Sequence, residues 1–262
     1  MNSKIKKILS KKNKSKLVCL TSYSKSIAKI LDKYCDIILV GDSLANVLYG
    51  HSNTHKMSVD DMIKHTISVK KGVKKSLLVV DMPKGSYSTF NKALTNAKLI
   101  VRKTKCDAIK LENFKKNFEI IKFLVNKGIP VMGHIGFTPQ FKNKFKLEGE
   151  TKKEIKRLLK EAKSIENAGA FSVILECLTF KAAKMITNEL SIPTIGIGAS
   201  ASCDGQILVT DDMIGLSGFY PKFVKKYCNI SGIIEKAVEN YAREVKLKKF
   251  PTKKFFLRWT IL

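Results

Sequence analysis

Five titratable residues occupy comparable positions in this sequence, each at or just beyond the end of a short apolar run. Asp42 follows IILV, Asp81 follows LLVV, Glu112 follows AIKL, His134 follows IPVMG, and Glu176 follows SVIL. Charged side chains are ordinarily found on exposed surfaces, so their recurrence at the ends of apolar runs is informative. It predicts that these side chains converge on one site that performs acid–base or metal chemistry.

Asp42 and Asp81 follow neighbouring runs, and two carboxylates held close together repel each other unless a cation lies between them. Oxygen donors suit a hard ion such as Mg²⁺, which keeps coordination positions for water or substrate. Glu112 follows the next run and is a third candidate ligand. The alternative for either aspartate alone is a helix N-cap, although Ser43 could cap in place of Asp42. The three carboxylates together favour a metal site.

Lys110, Glu176 and His134 complete the candidate site. Lys110 stands two residues before Glu112, so strand alternation places both side chains on one face. It would bind a substrate carboxylate, or form an internal salt bridge with Glu112 or Asp81. Burial would raise the pKa of Glu176 towards that of a general base, unless the carboxylate pairs with an internal lysine. His134 is a base, a hydrogen-bond donor to substrate or a satisfied core histidine.

A divalent metal beside a lysine and a base suggests one class of reaction. A 2-oxo acid would chelate the metal through its carboxylate and ketone oxygens, and the metal would stabilise the enolate formed when a base removes the α-proton. The residues alone therefore favour an enolising enzyme.

The elements that must position these residues are visible as eight short apolar runs. Such runs are typical of parallel strands buried on both faces. Helical patterns lie between them, most clearly over Asp60–Val69 and Thr151–Ala168. Eight strand–helix units in 262 residues predict a (β/α)₈ TIM barrel, with an open doubly wound sheet as the alternative. The runs are Leu17–Thr21, Ile37–Val40, Leu77–Val80, Ala108–Leu111, Ile129–Met132, Ser172–Leu175, Thr194–Ile197 and Gln206–Val209.

No linker or shift in composition divides the chain. The sequence therefore predicts one barrel domain over residues 1–262, with a basic N-terminal extension (1–16) and a C-terminal tail (250–262). No apolar run approaches the roughly 18 residues of a membrane span. Six cysteines without a CxxC pair indicate a reducing cytoplasm.

The net charge of +27 raises the question of nucleic-acid binding. The lysines, however, are spread along the whole chain, and aromatic residues do not interleave with them as base-stacking platforms would require. This pattern favours lysine-rich solvated surfaces over a nucleic-acid partner.

Several motifs, taken together, resemble the ketopantoate (3-methyl-2-oxobutanoate) hydroxymethyltransferase family. They occur in the family's order and with near-family spacing, from about Leu17 to Tyr241. They are VGDSL (Val40–Leu44), Gly50-His51, DMP (Asp81–Pro83), IKLE (Ile109–Glu112), GHIGFTPQ (Gly133–Gln140), ILEC (Ile174–Cys177), IPTIGIGA (Ile192–Ala199) and DGQILV (Asp204–Val209).

The resemblance implies a Mg²⁺-dependent barrel enzyme of pantothenate biosynthesis. It would transfer a hydroxymethyl group from 5,10-methylenetetrahydrofolate to 3-methyl-2-oxobutanoate, giving 2-dehydropantoate. By position, Asp42, Asp81 and Glu112 would hold the metal, with Glu112 acting directly or indirectly. Asp42, Ser43, Asp81 and Lys110 would contact substrate, and Glu176 would accept the proton. A homo-oligomer, commonly a decamer, is also implied.

The chain departs from the family pattern in the loop Phe141–Gly149. Asn143-Lys144 replace a usual glycine pair, Leu147-Glu148-Gly149 replace a usual VQG, and the loop is a few residues shorter. Glycine adopts backbone conformations that Asn and Lys adopt less readily, so these changes bear on how the loop closes over the substrate. A decayed enzyme is one alternative. Another is a Mg²⁺-dependent lyase of the phosphoenolpyruvate mutase or isocitrate lyase type, although this loop lacks the cysteine usual in those enzymes.

Overall fold

The computed structural model describes residues 2–114, 117–142 and 144–256. Three parts of the sequence-based expectations lie outside these ranges, namely Met1 of the N-terminal extension, Asn143 of the loop and residues 257–262 of the tail. Within the described residues the strands are β1 (Leu17–Thr21), β2 (Ile37–Val40), β3 (Leu77–Asp81), β4 (Ala108–Glu112), β5 (Val131–Gly136), β6 (Ser172–Glu176), β7 (Thr194–Ile197) and β8 (Gly205–Leu208).

These strands form a closed parallel barrel in which each strand pairs with the next and β8 pairs with β1. At the closure, Leu17 is in register with Gly205. A side chain at position 205 would not fit, because a Cβ atom there would lie 2.6 Å from the Cβ of Leu17. Closure confirms the (β/α)₈ prediction and excludes the open doubly wound sheet.

Helices occupy the connections between successive strands, except that from β7 to β8, and also precede β1 and follow β8. They are α1 (Ser3–Ser10), α2 (Lys25–Leu31), α3 (Leu44–Val47), α4 (Val59–Lys70), α5 (Phe90–Thr104), α6 (Asn117–Asn126), α7 (Lys152–Asn167), α8 (Phe180–Glu189), α9 (Thr210–Met213) and α10 (Ile230–Lys246), with a 3₁₀ turn at Lys253–Phe255. Among the described residues, no helix is both long and apolar enough to cross a membrane.

The two helices predicted most clearly have well-defined ends. Thr151 and Glu154 form a capping box at the start of α7, and Ser58 and Asp61 form one at the start of α4. Gly169 follows α7 at a φ of +86°, which is the left-handed conformation that commonly ends a helix.

The fifth strand differs most from its prediction, which ended at Met132 whereas the strand continues to Gly136. Glycine and histidine ordinarily interrupt an apolar pattern, so the sequence indicated an earlier end. Gly133 is nevertheless inside the strand because Ile165 of α7 packs against it. A Cβ atom at position 133 would lie 2.5 Å from the Cγ2 of Ile165.

In the barrel interior, apolar side chains near the strand starts give way to polar ones near the strand ends. On β4, Ala108, Lys110 and Glu112 succeed one another on the inner face. On β3, Leu77 and Val79 precede Asp81 in the same way. The interior is thus a packed apolar layer beneath a charged one, and the charged layer lies where barrel enzymes place their chemistry.

Helix α1 covers the N-terminal end of the barrel. Ile5 and Ile8 are almost fully buried, at 1% and 2% exposure, and pack in one cluster with inward-facing residues such as Leu17, Ile37 and Leu77. The segment predicted as a basic extension therefore contributes two large side chains to the barrel core.

Three lysines in and just after α1 form ion pairs with aspartates that precede β2, β4 and β8. Each aspartate also accepts a hydrogen bond from a strand backbone amide, so the lysines stabilise residues that organise the strand starts. The pairs are Lys4–Asp107 at 3.1 Å, Lys11–Asp36 at 2.5 Å and Lys12–Asp204 at 2.9 Å.

The chain divides into two compact units, Met1–Thr210 and Asp211–Leu262. The first contains all eight strands and every predicted site residue. The second contains α10, whose residues are all described and none of which is buried.

Candidate active site

Asp81, at the end of β3, is the centre of the charged layer. The Lys110 ammonium donates to Asp81 Oδ1 at 2.7 Å, and the backbone N–H of Asp42 donates to Asp81 Oδ2 at 3.0 Å. Both carboxylate oxygens are therefore engaged. Of the two alternatives for Lys110, this structure contains the internal salt bridge. The neighbouring carboxylates, led by Asp81, raise the pKa of Lys110 despite its burial, so the ammonium stays charged.

The Asp42 carboxylate is buried beside this pair and accepts a hydrogen bond of 2.8 Å from Gln140 Nε2. Burial, together with the negative charge of Asp81, raises the pKa of Asp42 to about 7. Neither aspartate caps a helix, because the N-cap of α3 is Ser43 and that of α5 is Thr89. The helix-cap alternative for these two residues is therefore excluded.

Glu112 ends β4 and is completely buried. Its Oε2 accepts the backbone N–H of Gln140 at 3.0 Å, whereas Oε1 has no hydrogen-bond partner among the described residues. Burial is the main reason that the pKa of this carboxyl is raised, and the charges of Asp42 and Asp81 raise it further. A buried oxygen without a donor is a position where a proton or a cation would be stabilised.

His134 lies between two carboxylates. Its Nε2 is 3.1 Å from Glu176 Oε2, and its Nδ1 is 3.6 Å from Glu112 Oε1. Burial lowers the pKa of His134 well below its usual range, and the charge of Lys110 lowers it further, so the ring is neutral. A neutral imidazole carries one N–H and can donate to only one carboxylate at a time.

Glu176 ends β6, and burial raises the pKa of its carboxyl to about 8. It makes no ion pair with a lysine among the described residues, because Lys110 pairs with Asp81 instead. A carboxylate with this environment has the basicity that a general base near neutral pH requires.

The backbone around Glu176 is tightly constrained. Its carbonyl accepts the N–H of Phe137 at 2.9 Å, and the next residue, Cys177, has a φ of +53°, which is unusual for a residue with a side chain. Gly136 makes this approach possible, because a Cβ atom there would lie 2.1 Å from the Glu176 carbonyl oxygen. Gly136 also has a φ of +94°.

We expect Gly136→Ala to lower both stability and activity, and Gly128→Ala to serve as its matched control. Both glycines have positive φ, but a Cβ atom at Gly128 would meet nothing within 4 Å. Gly128→Ala should therefore cost only the backbone strain of about 1–2 kcal/mol. Gly136→Ala should cost more and should also displace Glu176. Urea unfolding and turnover measured on both variants test this, and equal losses would contradict it.

Ser43 lies directly after Asp42, and its hydroxyl is 2.8 Å from the hydroxyl of Tyr23. Gly41 leaves room for this arrangement, because a Cβ atom there would lie 2.9 Å from Ser43 Oγ and 3.5 Å from Asp81 Oδ2. The turn after β2 thus brings Ser43 and Asp42 to the same cluster as Asp81.

Gln140 was assigned no role from sequence, yet it joins most of the cluster. Its backbone N–H bonds Glu112, and its side chain bonds Asp42, donates from Nε2 to the Met82 carbonyl at 3.0 Å and accepts the hydroxyl of Tyr87 at 2.6 Å. Its position at the end of GHIGFTPQ was the available signal. No comparable signal marked Tyr87.

The cluster contains an excess of buried acids, since Lys110 is opposed by four carboxyl groups. No three His, Cys, Asp or Glu side chains among the described residues are arranged to enclose a metal ion. Mg²⁺ does not require such an enclosure, because it commonly binds one or two carboxylates and takes its other ligands from water and substrate. Asp42, Asp81 and the unpartnered Glu112 oxygen therefore fit a hard divalent cation by donor type and charge.

The closed barrel and its layer of acids at the strand ends define an enzyme of the (β/α)₈ class. Solved structures share this fold, including a 2,3-dimethylmalate lyase of the phosphoenolpyruvate mutase/isocitrate lyase superfamily (TM-score 0.60, 13% identity, 100% of this chain and 93% of that one). Phosphonopyruvate hydrolase, solved with oxalate and Mg²⁺, is similar to the same degree (TM-score 0.61, 12% identity, 97% and 93%). The chain itself belongs to the ketopantoate hydroxymethyltransferase family, whose sequence model matches residues 2–253.

Similar proteins named 3-methyl-2-oxobutanoate hydroxymethyltransferase support this membership. The protein from Pelagibacter ubique is 53% identical over 254 residues, covering 97% of this chain and 99% of its own length. Those from Anaplasma marginale (strain Florida) and Clostridioides difficile are each 48% identical, covering 93% and 91% of this chain and 89% of their own lengths. The family resemblance is confirmed, and the chain belongs to a family of transferases. Its likeness to the lyase and the hydrolase, at 12–13% identity, is a likeness of fold.

Proposed function

We propose that this protein transfers a hydroxymethyl group from 5,10-methylenetetrahydrofolate to 3-methyl-2-oxobutanoate, giving 2-dehydropantoate for pantothenate and coenzyme A biosynthesis. The observation that carries the proposal is the Glu176 carboxyl, whose side chain is only 13% exposed, beside a cluster of Asp42, Asp81 and Lys110 in a chain of this family. Such a cluster can hold an oxo acid by its charged end and place a base beside its C–H bond.

We propose that Asp42 and Asp81 hold a Mg²⁺ ion and that Glu112 supports it directly or through water. When bound, Mg²⁺ supplies positive charge that stabilises the developing negative charge on the oxo acid. Asp42, Ser43, Asp81 and Lys110 contact the substrate. Lys110 can turn its ammonium from Asp81 towards a substrate carboxylate while it remains within the same cluster of charges.

Glu176 acts as the proton acceptor in this proposal. It removes the C3 proton of 3-methyl-2-oxobutanoate, and C3 forms a bond to the folate methylene carbon. Water supplies the hydroxyl group, and the two bonds from that carbon to the folate nitrogens break. The nitrogens take up one proton from water and the proton removed from C3, so tetrahydrofolate is released and Glu176 returns to its carboxylate. His134, 3.1 Å from Glu176, orients the carboxylate and supports its loss and gain of the proton.

A turnover assay tests the proposal. The protein is incubated with 3-methyl-2-oxobutanoate and 5,10-methylenetetrahydrofolate, with and without Mg²⁺, and 2-dehydropantoate is detected by mass spectrometry. We expect product only when the folate and Mg²⁺ are both present. Cleavage of an oxo acid without folate would instead support lyase chemistry, and no product with either would support a decayed enzyme.

We further propose that the protein acts in the cytoplasm as a homo-oligomer, for which the resemblance implies a decamer. All six cysteines are unpaired, and five of them are buried, which suits a reducing compartment. Helix α10 exposes an apolar stripe of Ile234, Val238, Tyr241 and Val245, at 44–58% exposure. A stripe of this kind favours burial against another protein surface, and a second copy of the chain is the proposed partner.

Charges placed on this stripe should weaken self-association. We expect Ile234→Glu combined with Val238→Glu to lower the mass in solution towards the 29.4 kDa of one chain. The control is Glu239→Gln, a change on the same helix away from the stripe. Sedimentation equilibrium gives both masses, and an unchanged oligomer in the double variant would place the interface elsewhere.

A further inference from the structure

Glu148 is a buried carboxylate that the proposed chemistry does not use. Only 7% of its side chain is exposed, yet it lies outside the cluster around Asp81. One carboxylate oxygen pairs with Lys142, and the other accepts from Arg157 of α7 at 2.5 Å. A buried carboxylate loses its hydration, and this cost is offset only while each of its oxygens stays paired with a cation. The two ion pairs therefore hold the side chain firmly in place.

The backbone of Glu148 pairs with the segment that follows Glu176. Its N–H donates to the Cys177 carbonyl at 2.9 Å, and its carbonyl accepts the Thr179 N–H at 2.9 Å. This forms a short parallel bridge between Glu148 and Leu178. The bridge begins at the residue next to Glu176, so a shift of Glu148 would be transmitted to the peptide that carries the Glu176 side chain.

Lys142 connects the same carboxylate to the end of β5. Its ammonium donates to the Gly136 carbonyl at 2.7 Å as well as to Glu148. Gly136 is the residue whose close approach to the Glu176 carbonyl was described above. Glu148 is therefore connected to the surroundings of Glu176 in two ways. Its side chain is connected through Lys142 to the end of β5, and its backbone is hydrogen-bonded to the residues that follow Glu176.

We propose that Glu148 is a positioning residue for Glu176. Its ion pairs with Lys142 and Arg157 hold the end of the loop Phe141–Gly149 against Cys177–Thr179, and this contact maintains the left-handed conformation of Cys177 that directs Glu176 into the barrel. Glu148 stands where the family pattern has the glutamine of VQG, and in this chain two cations, Lys142 and Arg157, face it, so the role depends here on the charge of Glu148. An amide of the same shape would present an NH₂ group to one of the two cations and could not accept from both. The inference rests on the proposed function for Glu176.

The mutation that tests this is Glu148→Gln, with Glu161→Gln as the matched control. Glu161 is the other partner of Arg157, at 2.6 Å, and its side chain is 28% exposed. Both variants lose one carboxylate facing the same arginine, but only Glu148→Gln also removes the partner of Lys142 and changes the residue bonded to the Glu176 segment. Lys142→Met is a second test of the same link, made at a partly exposed lysine that tolerates substitution better.

Two measurements separate positioning from general stability. The first is the rate at which the C3 proton of 3-methyl-2-oxobutanoate exchanges in deuterated water, together with the Mg²⁺ affinity. We expect Glu148→Gln and Lys142→Met to slow exchange at least about tenfold, because small displacements of a reacting group have large effects on rate. Mg²⁺ affinity should not change, since Asp42 and Asp81 are held by other contacts. The two substitutions combined should not be additive.

The second measurement is amide hydrogen exchange by mass spectrometry, which does not depend on activity. Peptides covering residues 137–149 and 176–180 should lose protection in Glu148→Gln, while the rest of the barrel and the Glu161→Gln control should not. Unchanged protection in these peptides, or wild-type proton exchange in Glu148→Gln, would overturn the proposal. A wild-type protein without C3 proton exchange would contradict the proposed function, and the peptide protection would still decide the role of Glu148.

Discussion

Glu176→Gln is expected to lower the rate of C3 proton exchange from 3-methyl-2-oxobutanoate by about 10²–10⁴-fold, the usual contribution of a positioned general base. The amide keeps the shape of the side chain and its place 3.1 Å from His134 Nε2, but it cannot accept the proton. Burial raises the pKa of Glu176 to about 8, so the wild-type carboxylate is basic enough for this step. Proton NMR of the substrate in deuterated water follows the loss of the C3 signal directly.

The exchange assay isolates the role of Glu176 because it requires neither folate nor product release. Substrate affinity, measured by calorimetry, should change little in Glu176→Gln, since Lys110 and the aspartates remain. His134→Gln should slow exchange less, because it would disturb the orientation of the base and leave the base itself present. Normal exchange in Glu176→Gln would show that another group accepts the proton.

Asp42→Asn is expected to abolish Mg²⁺ binding and Mg²⁺-dependent turnover while the fold is retained. The amide preserves the size of the side chain, and its oxygen can still accept the hydrogen bond from Gln140 Nε2. Asp81 is a poorer choice for this test, since its removal would leave the buried Lys110 ammonium without a counterion, at a penalty of about 3–5 kcal/mol. Calorimetry and circular dichroism report metal binding and fold separately.

The wild-type protein should also bind Mg²⁺ in a pH-dependent way. In the metal-free protein the pKa of Asp42 is raised to about 7 by burial and by Asp81. Protonated Asp42 contributes to the stability of the folded protein. This stabilisation is fully present below the pKa that Asp42 has in the unfolded chain, and it is lost as pH rises through about 7. Protons therefore compete with the metal below pH 7, and the apparent affinity should fall about tenfold per pH unit there. Titrations at pH 5.5, 6.5 and 8 measure this, and a pH-independent affinity would contradict the assignment of Asp42.

The positions of the acids were predictable from sequence because strand alternation and strand ends determine them. Once AIKLE is recognised as a strand, Lys110 and Glu112 must share a face, and parallel strands bring their ends together. The partner that Lys110 selects was not predictable. Asp81 and Glu112 are both near enough in principle, and the choice depends on distances between neighbouring strands that the barrel shear determines.

Gln140 illustrates what pattern reading misses. A glutamine after a proline gives no periodic signal, and its importance arises only when the chain after β5 turns back across the barrel mouth towards Asp42 and Tyr87. The role of the N-terminal lysines was missed for a similar reason. Lys4 and Lys12 pair with aspartates that are 103 and 192 residues away in the sequence. The residues next to these lysines therefore indicate only a charged terminus.

Helix α1 also has a kinetic consequence. Because Ile5 and Ile8 cover the N-terminal end of the barrel and pack with the apolar layer of its interior, the charged layer is approached from the C-terminal ends of the strands. For the proposed reaction, both substrates would enter and both products would leave on that side. The oxo acid, held deepest by Lys110 and the aspartates, should therefore bind before the folate. The product, 2-dehydropantoate, should leave after tetrahydrofolate. Steady-state inhibition patterns should accordingly be those of an ordered mechanism.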